Sequence, residues 1–529
     1  MGAAALFALG LALGVLELRD PAGQKPADRF DILLQFALGL GAAGIALALS
    51  RRAWPVRLPP RSVLAAAFAA SLALACAVTA IWPNSGDEYG YVYAARTLLA
   101  GRVFNPAPPV PELFDFFWIG VRDGKMASQY PPGWPALLAP FVAARAGFLA
   151  NPLLTLALGL LLRACLRRVG TPPLVGDGLL ALVLLSPFAL FNGGSLFSHT
   201  LSAVTVLAIC WLQLRDEERA GAWNKVLIGA FFSVALVTRH EVFALTAALY
   251  GLDRALRRRW KVLGDAVPIA LGGLPVALLW LAYDAAITGH PLTTTMLWAA
   301  SPGTQAFGLG ELAPFIRIQA SMASALCAFS SAALTLLYAA ALAARLRAET
   351  VRFYDALFPA AVAFFAFYPH WPGHQYGPRY WFFAWPTAAL TVGAALSEEG
   401  GFARLPRWRV HVPTLAALQL AAYLGFTLSF GAVMRLYVDA RRSVYGASAP
   451  TTPAVVLVPD REFTLSPLQR RPFVARSRDF TRNDLLFAAP VLYGRGDGER
   501  FDRLACEMPG RAVYRWQVPG TLEPVPCPR

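Results

Sequence analysis

The sequence predicts an all-α polytopic membrane protein of about 11–13 transmembrane helices, ending in a small α/β domain outside the membrane. Three observations predict it. The 529 residues are 57% hydrophobic and only 15% charged, where a soluble chain carries roughly a quarter charged residues. Apolar runs of span length recur along most of the chain. From residue 437 onward those runs stop and short β-rich segments take over.

A span needs roughly 20 apolar residues, fewer where neighbours shelter it. The candidates in order are 3–17, 33–50, 62–82, 150–166, 174–194, 198–214, 225–238, 241–253, 263–284, 318–344, 354–368, 379–396 and 411–435. The first run, Ala3 to Leu16, has signal-peptide length but no basic start, and many spans follow it. It is therefore expected to be a first, short transmembrane helix. Residues 133–148 carry Pro135 and Pro140 just after Pro131 and Pro132, which points to a juxtamembrane or re-entrant segment.

The net charge is +15. Its arginines sit in short clusters between apolar runs, the pattern of cytoplasmic loops and not of a nucleic-acid surface. Counting gaps alternately, one set holds Arg51, Arg52, Arg57 and Arg61, then Arg163, Arg167 and Arg168, then Arg215, Arg219 and Lys225. It continues with Arg254, Arg257, Arg258, Arg259 and Lys261, then Arg345, Arg347 and Arg352, then Arg404, Arg407 and Arg409. The long gap 83–132 holds only Arg96, Arg102, Arg122 and Lys125. The positive-inside rule thus places the N-terminus in the cytoplasm and the C-terminal domain outside, as in a multi-pass bacterial inner membrane protein. The expected division is a transmembrane domain, 1–436, carrying the outer loop 83–132, and a small periplasmic domain, 437–529.

Within that tail, Val455–Val458, Leu485–Tyr493 and Gly510–Trp516 are expected strands with turn residues between them. Cys76, Cys165, Cys210 and Cys327 lie in apolar runs as small buried residues. Cys506 and Cys527 lie in the polar tail, where an oxidising compartment would make them a candidate disulfide.

The strongest local chemical signal is Asp87-Glu88, in the stretch IWPNSGDEYGYVYAARTLLAG. Pro83 to Gly86 break the helix as it leaves the bilayer and deliver two adjacent carboxylates ahead of an amphipathic helix, roughly 88–101. A carboxylate at that depth can take the proton of a hydroxyl. The competing role is helix capping, since acidic residues at a helix start satisfy free amides. The loop continues through Asp115 to DGKMASQYPPGWP, where Lys125 and Tyr130 beside a rigid Pro-Pro turn are candidates to grip an anionic headgroup. Phe114, Phe116, Phe117 and Trp118 suit an interfacial belt.

Two other polar groups interrupt apolar surroundings. Arg239, His240 and Glu241 lie between two short runs, so they face a cavity, pair with one another or sit at the interface. The segment YPHWPGHQYGPRYWFFAWP supplies His370, His374, Tyr376 and Arg379 at an outer-side helix start, where an arginine can hold a phosphate with paired donors. Arg379 as a snorkelling interfacial residue is the alternative. His199, after Gly193-Gly194, is a weaker candidate. Pro372 and Gly373 separate His370 from His374 and exclude one-face helical ligation, so no metal site is expected.

In order, the acidic pair Asp87-Glu88, QYPPGWP (Gln129 to Pro135), SPF (Ser186 to Phe188) and GPRYWF (Gly377 to Phe382) resemble the GT-C-type glycosyltransferases. This is the superfamily of protein O-mannosyltransferases and the bacterial lipid A aminoarabinose transferase. The resemblance covers roughly residues 62–396. It implies a GT-C fold, a polyprenyl-phosphate-linked sugar donor and an inverting transfer to a periplasmic or cell-surface lipid, glycan or protein. Carried over by position, Asp87 is the general base and Glu88 its partner, and Arg379 is a donor-phosphate ligand, with Lys125 and Arg239 as further ones. Tyr130, His199, His240, His374 and Tyr376 complete the expected substrate-binding set. Where many relatives place Lys before Pro-Pro, this chain has Gln129-Tyr130, so the resemblance assigns no phosphate ligand there. No cofactor is obligatory in such a reaction, although a bound divalent cation is compatible with it. Two other functions share the membrane composition: a flippase or transporter of a lipid-linked substrate, for which paired repeats would be expected, and a non-catalytic membrane scaffold.

Overall fold

The computed structural model describes residues 57–528, except 115–117, 259–261, 300–321, 324, 328, 367–375, 398–407, 444–449, 451, 460, 464–472, 476–478, 497 and 518–520. The expected spans 3–17 and 33–50 lie outside the described residues, as do Asp115, His370 and His374. The other expected spans are mainly helical where described, although the helix of 62–82 stops at Val78, 318–344 is interrupted by a turn at Ser330-Ser331, and 379–396 opens with a 3-10 turn before helix Trp385–Ala395. Pro60–Val78, Gly147–Arg168, Leu263–Thr288 and His411–Leu436 are long and apolar enough to cross a membrane, and the pair Pro173–Leu184 and Pro187–Gly193, bent by 57°, can serve as one more span. Ala222–Thr238 and Phe353–Ala366 are shorter apolar helices. Gly133–Ala143, with Pro140 inside, is a short helix well below span length.

The chain forms two compact units. The first takes residues up to Ala75, Phe148–Leu278 and Gln305–Gly431. It is helical, and its charged helix ends neutralise one another: Arg254 pairs with Asp216 at 3.2 Å and Asp265 at 2.6 Å, and Arg345 with Asp355 at 2.9 Å. A buried ion left alone would cost several kcal/mol, about 3–5 when one partner is removed. These arginines belong to the clusters between apolar runs, so the pattern that sets orientation also ties helix ends together.

The second unit takes Cys76–Gly147, Leu279–Thr304 and Ala432–Arg529. The tail portion starts within a few residues of the expected 436, but the loop 83–132 groups with the tail and not with the helices. Tyr89, Tyr93, Leu113, Phe114, Ile119 and Met126 of the loop share one core with Val455, Leu457, Leu492, Ala505 and Val513 of the tail. The loop also holds a three-stranded antiparallel sheet. Lys125–Ser128 runs between Asn105–Pro106 and Ile119–Arg122, with Val121 opposite Met126. Asp123 and Gly124 turn the hairpin, both at positive φ (52° and 70°), as a two-residue Asp-Gly turn requires.

In the tail, Ala454–Val458 pairs in parallel with Val491–Arg495 and Ala512–Gln517, and Thr521–Pro524 closes the edge antiparallel to the last of these. The parallel pairing demands crossovers, and helix Glu499–Cys506 provides one. Side chains alternate as a strand dictates: Val455 and Leu457 enter the core shared with the loop, while Val456 and Val458 pack with Trp516 on the other face. Cys506 and Cys527 form a disulfide, with Cα atoms 5.4 Å apart.

Candidate functional site

The acidic pair sits on a strained approach. A π-helical turn, Leu74–Val78, is followed by Ala80 and Ile81 at φ 53° and 59°, a conformation that costs a β-branched residue energy and recurs at functional sites. Ser85 then caps helix Gly86–Leu99. Its hydroxyl accepts the Glu88 N–H at 3.2 Å and donates to Glu88 Oε2 at 3.2 Å, and the Asn84 N–H donates to the same oxygen at 2.6 Å. Ser85 and Glu88 thus form a variant of the capping box, in which the Glu88 carboxylate reaches back to the N–H of the residue before the cap. Glu88 is 1% exposed, its carboxylate turned back onto the chain.

Asp87 has a different environment. It is half-buried, and the Tyr130 hydroxyl donates to its Oδ1. The Tyr130 ring packs on Tyr91, centroids 4.5 Å apart. Desolvation first, and then the Asp87 charge, raise the Tyr130 phenol well above its ordinary value of 10.0, so it is a proton donor to Asp87 at working pH. The helix must be glycine at two positions for this packing: a Cβ on Gly86 would lie 2.2 Å from the Trp118 ring, and one on Gly90 would lie 2.8 Å from Tyr130.

Lys125 is committed elsewhere. From its strand it donates to the carbonyls of Ala286 and Ile287, at 2.9 and 3.1 Å, in the last turn of helix Val262–Thr288. Its ammonium also lies 4.8 Å from the centroid of the Phe104 ring. It satisfies a helix C-terminus, where a cation is favoured.

The second cluster lies in the first unit. Arg239 is the extended residue between helices Ala222–Thr238 and His240–Arg258, which frees its side chain from either helix face. Its guanidinium lies 4.8 Å from the Tyr380 ring centroid and pairs with Glu241. Arg379 approaches the same tyrosine at 5.6 Å and covers Phe197 at 4.2 Å, with 8% of its surface exposed. His199, buried at the start of helix His199–Glu218, lies between Phe197 and Tyr380, at 5.6 and 5.7 Å. Asn151 fixes the turn that carries Phe197 by donating to the carbonyls of Ser195 and Phe197, at 2.7 and 2.9 Å. Three segments far apart in sequence thus bring two arginines and a histidine around one aromatic ring, an arrangement suited to an anion.

The known proteins place this architecture. The crystal structure of ArnT from Cupriavidus metallidurans bound to undecaprenyl phosphate matches over 86% of this chain and 92% of that chain, with a TM-score of 0.52 and 13% identity. ArnT in the apo state matches with the same coverage and TM-score at 14% identity. The chain has the GT-C fold. No family model and no curated protein matches its sequence, so the likeness lies in the fold.

On that GT-C framework, the expected site residues separate into three groups. Asp87 with Tyr130, and His199 with Arg239 and Arg379, are drawn together within their own units. Glu88 and Lys125 are engaged in helix ends. Tyr376 is fully buried, stacked on Phe191 at 5.8 Å, with its carbonyl accepting from Asn192 at 3.3 Å, so it supports the turn before Arg379. His240 opens helix His240–Arg258 next to Arg239. Phe197 and Tyr380, the aromatic faces under the arginines, were not singled out from the sequence, although Tyr380 adjoins Arg379 in GPRYWF. Among the described residues, no group of three or more His, Cys, Asp and Glu is placed to hold a metal ion.

Proposed function

We propose that the protein is a membrane glycosyltransferase that moves a sugar from a polyprenyl-phosphate donor to a hydroxyl of a periplasmic or cell-surface acceptor, with inversion. The observation that carries this reading is the division of labour in the acidic pair. One carboxylate caps the helix, and the other is left beside a tyrosine proton donor at the end of a candidate span. Asp87 takes the proton of the acceptor hydroxyl as that oxygen bonds to the anomeric carbon. The bond from that carbon to the phosphate oxygen breaks, and polyprenyl phosphate leaves with the electron pair. Arg239 and Arg379 serve the phosphate charge, as fixed cations in a desolvated setting do most effectively. Tyr130 orients Asp87, and Tyr380 and Phe197 hold the arginines in place. The bonds made and broken call for no resident metal. The N-terminus lies in the cytoplasm and the tail domain outside, following the arginine clusters.

The test is transfer or hydrolysis by the purified protein in nanodiscs, with a panel of radiolabelled polyprenyl-phosphate sugars. Arg379→Gln should raise the donor KM by about tenfold or more. Wild-type KM in that variant, with a donor the enzyme does turn over, would remove the phosphate assignment. If no donor is bound or turned over, the flippase and scaffold alternatives return.

A further inference from the structure

A run of threonines far from the acidic pair in sequence reaches the loop that holds it. Thr293, Thr294 and Thr295 lead into the short helix Thr295–Ala299, which belongs to the same compact unit as the loop 83–132. Two of these hydroxyls have different tasks. That of Thr294 accepts the Leu297 N–H at 3.3 Å and so caps the helix. That of Thr295, a buried residue, points away from the helix and donates to the Gln129 carbonyl at 3.1 Å. The surrounding segment is fitted to the loop hairpin as well. Trp298 packs with Ala127, and with Tyr283 and Ile287 of helix Val262–Thr288. A Cβ on Gly120 would lie 2.7 Å from the Trp298 ring and 2.9 Å from the Ala299 Cα. Lys125 ties the opposite end of strand Lys125–Ser128 to Ala286 and Ile287.

Gln129 is the joint between this brace and the acidic pair. Its N–H donates to the Trp118 carbonyl at 3.1 Å, and its carbonyl accepts from Thr295. The next N–H, that of Tyr130, donates to the Ser128 hydroxyl at 3.3 Å. Beyond it, Pro131 and Pro132 have fixed φ, and a following proline restricts the backbone of Tyr130 too. The Tyr130 ring is packed on Tyr91, against Gly90. With backbone and ring both held, a displacement of Gln129 carries the phenol with it, and the phenol donates to Asp87. Small misplacements of a proton-transfer group are costly to the rate. The Thr295 hydroxyl is thus linked to Asp87 through one carbonyl and one tyrosine.

We infer that Thr295 is a positioning residue for the transfer reaction, setting the place of Tyr130 through the Gln129 carbonyl and so the orientation of Asp87. The inference rests on Asp87 as the base, and its test reads the two separately. 3-Fluorotyrosine is placed at position 130 of the full-length protein in detergent, and its fluorine resonance is recorded by NMR. Thr295→Val keeps the shape and removes the donor, so it should displace or split that resonance. Thr295→Ser keeps the donor and should leave it in place. Kinetics follow with the donor that the panel identifies. Thr295→Val should lower kcat by about three- to tenfold, with donor KM within about twofold of wild type. In a Tyr130→Phe background it should lower kcat no further, because a residue that acts through Tyr130 has no separate effect there. If Thr295→Val does not fold, Thr295→Cys, with its weaker donor, is measured in its place. An unmoved resonance, or the full loss of kcat persisting in the Tyr130→Phe background, overturns the positioning role. A displaced resonance in a protein that turns over no donor upholds the link from Thr295 to Tyr130 and overturns the transfer reading instead.

Discussion

Exchanging the two carboxylates of the acidic pair, one at a time, should separate stability from turnover. Glu88→Ala removes the acceptor of the Asn84 N–H and of the Ser85 hydroxyl. A hydrogen bond to a charged group contributes about 1.5–3 kcal/mol, and a helix cap about 1 kcal/mol. Because the two effects share atoms, the loss should be about 2–4 kcal/mol. Glu88→Gln keeps one carbonyl oxygen toward Asn84 and loses the charge, so it should cost about 1 kcal/mol. For a domain of 150–250 residues, each kcal/mol moves the unfolding midpoint by about 2–4 °C. Asp87→Asn leaves an oxygen to accept from Tyr130 and should stay within about 0.5–1 kcal/mol of the wild type, while turnover falls by about 10²–10⁴-fold. The assays are thermal unfolding in detergent and transfer from the donor identified by the panel. A Glu88→Gln protein of wild-type stability and no turnover would refute the capping assignment. Substantial turnover by Asp87→Asn would refute the base.

Tyr130→Phe should reduce kcat by about tenfold with donor KM little changed, since it removes only the group that orients Asp87; an unchanged kcat would make the pair structural. The same variant carries a pH signature. A phenol whose folded pKa is raised contributes stability that is intact below its unfolded value near 10 and declines as pH rises above it. The stability difference between wild type and Tyr130→Phe should therefore be flat to about pH 10 and then fall, as denaturant titrations at several pH values would show. Lys125→Ala should cost about 0.5–1.5 kcal/mol through the uncapped helix end and leave donor KM within about twofold; a large KM increase would return Lys125 to the phosphate. Gly90→Ala should destabilise by about 1–3 kcal/mol, because its Cβ would press on Tyr130, and an unaffected melting midpoint would argue against that packing.

Much of this architecture is legible locally. The helices follow from apolar length, and the strand Ala454–Val458 from a short β-branched run, because both signals reside in neighbouring residues. The loop 83–132 is harder. Its Asp123-Gly124 turn is a hairpin signal, yet its flanking strands are only four residues long. They are held by a core whose other half lies in the tail, and no local pattern reports that. Lys125 illustrates the same limit, since the helix end it caps is 161 residues further along the chain.

By itself the sequence determined the membrane class, the helical segments, the β-rich tail and the acidic pair at a helix start, all consequences of composition and short-range spacing. Only the tertiary structure decided which carboxylate is consumed by capping and which is presented. It also decided that Arg239, Arg379 and His199 gather at Tyr380 while Lys125 does not join a binding cluster. The physical reason is that a polar side chain's role depends on which donors and acceptors desolvate beside it, and those neighbours come from the packing of helices distant in the chain.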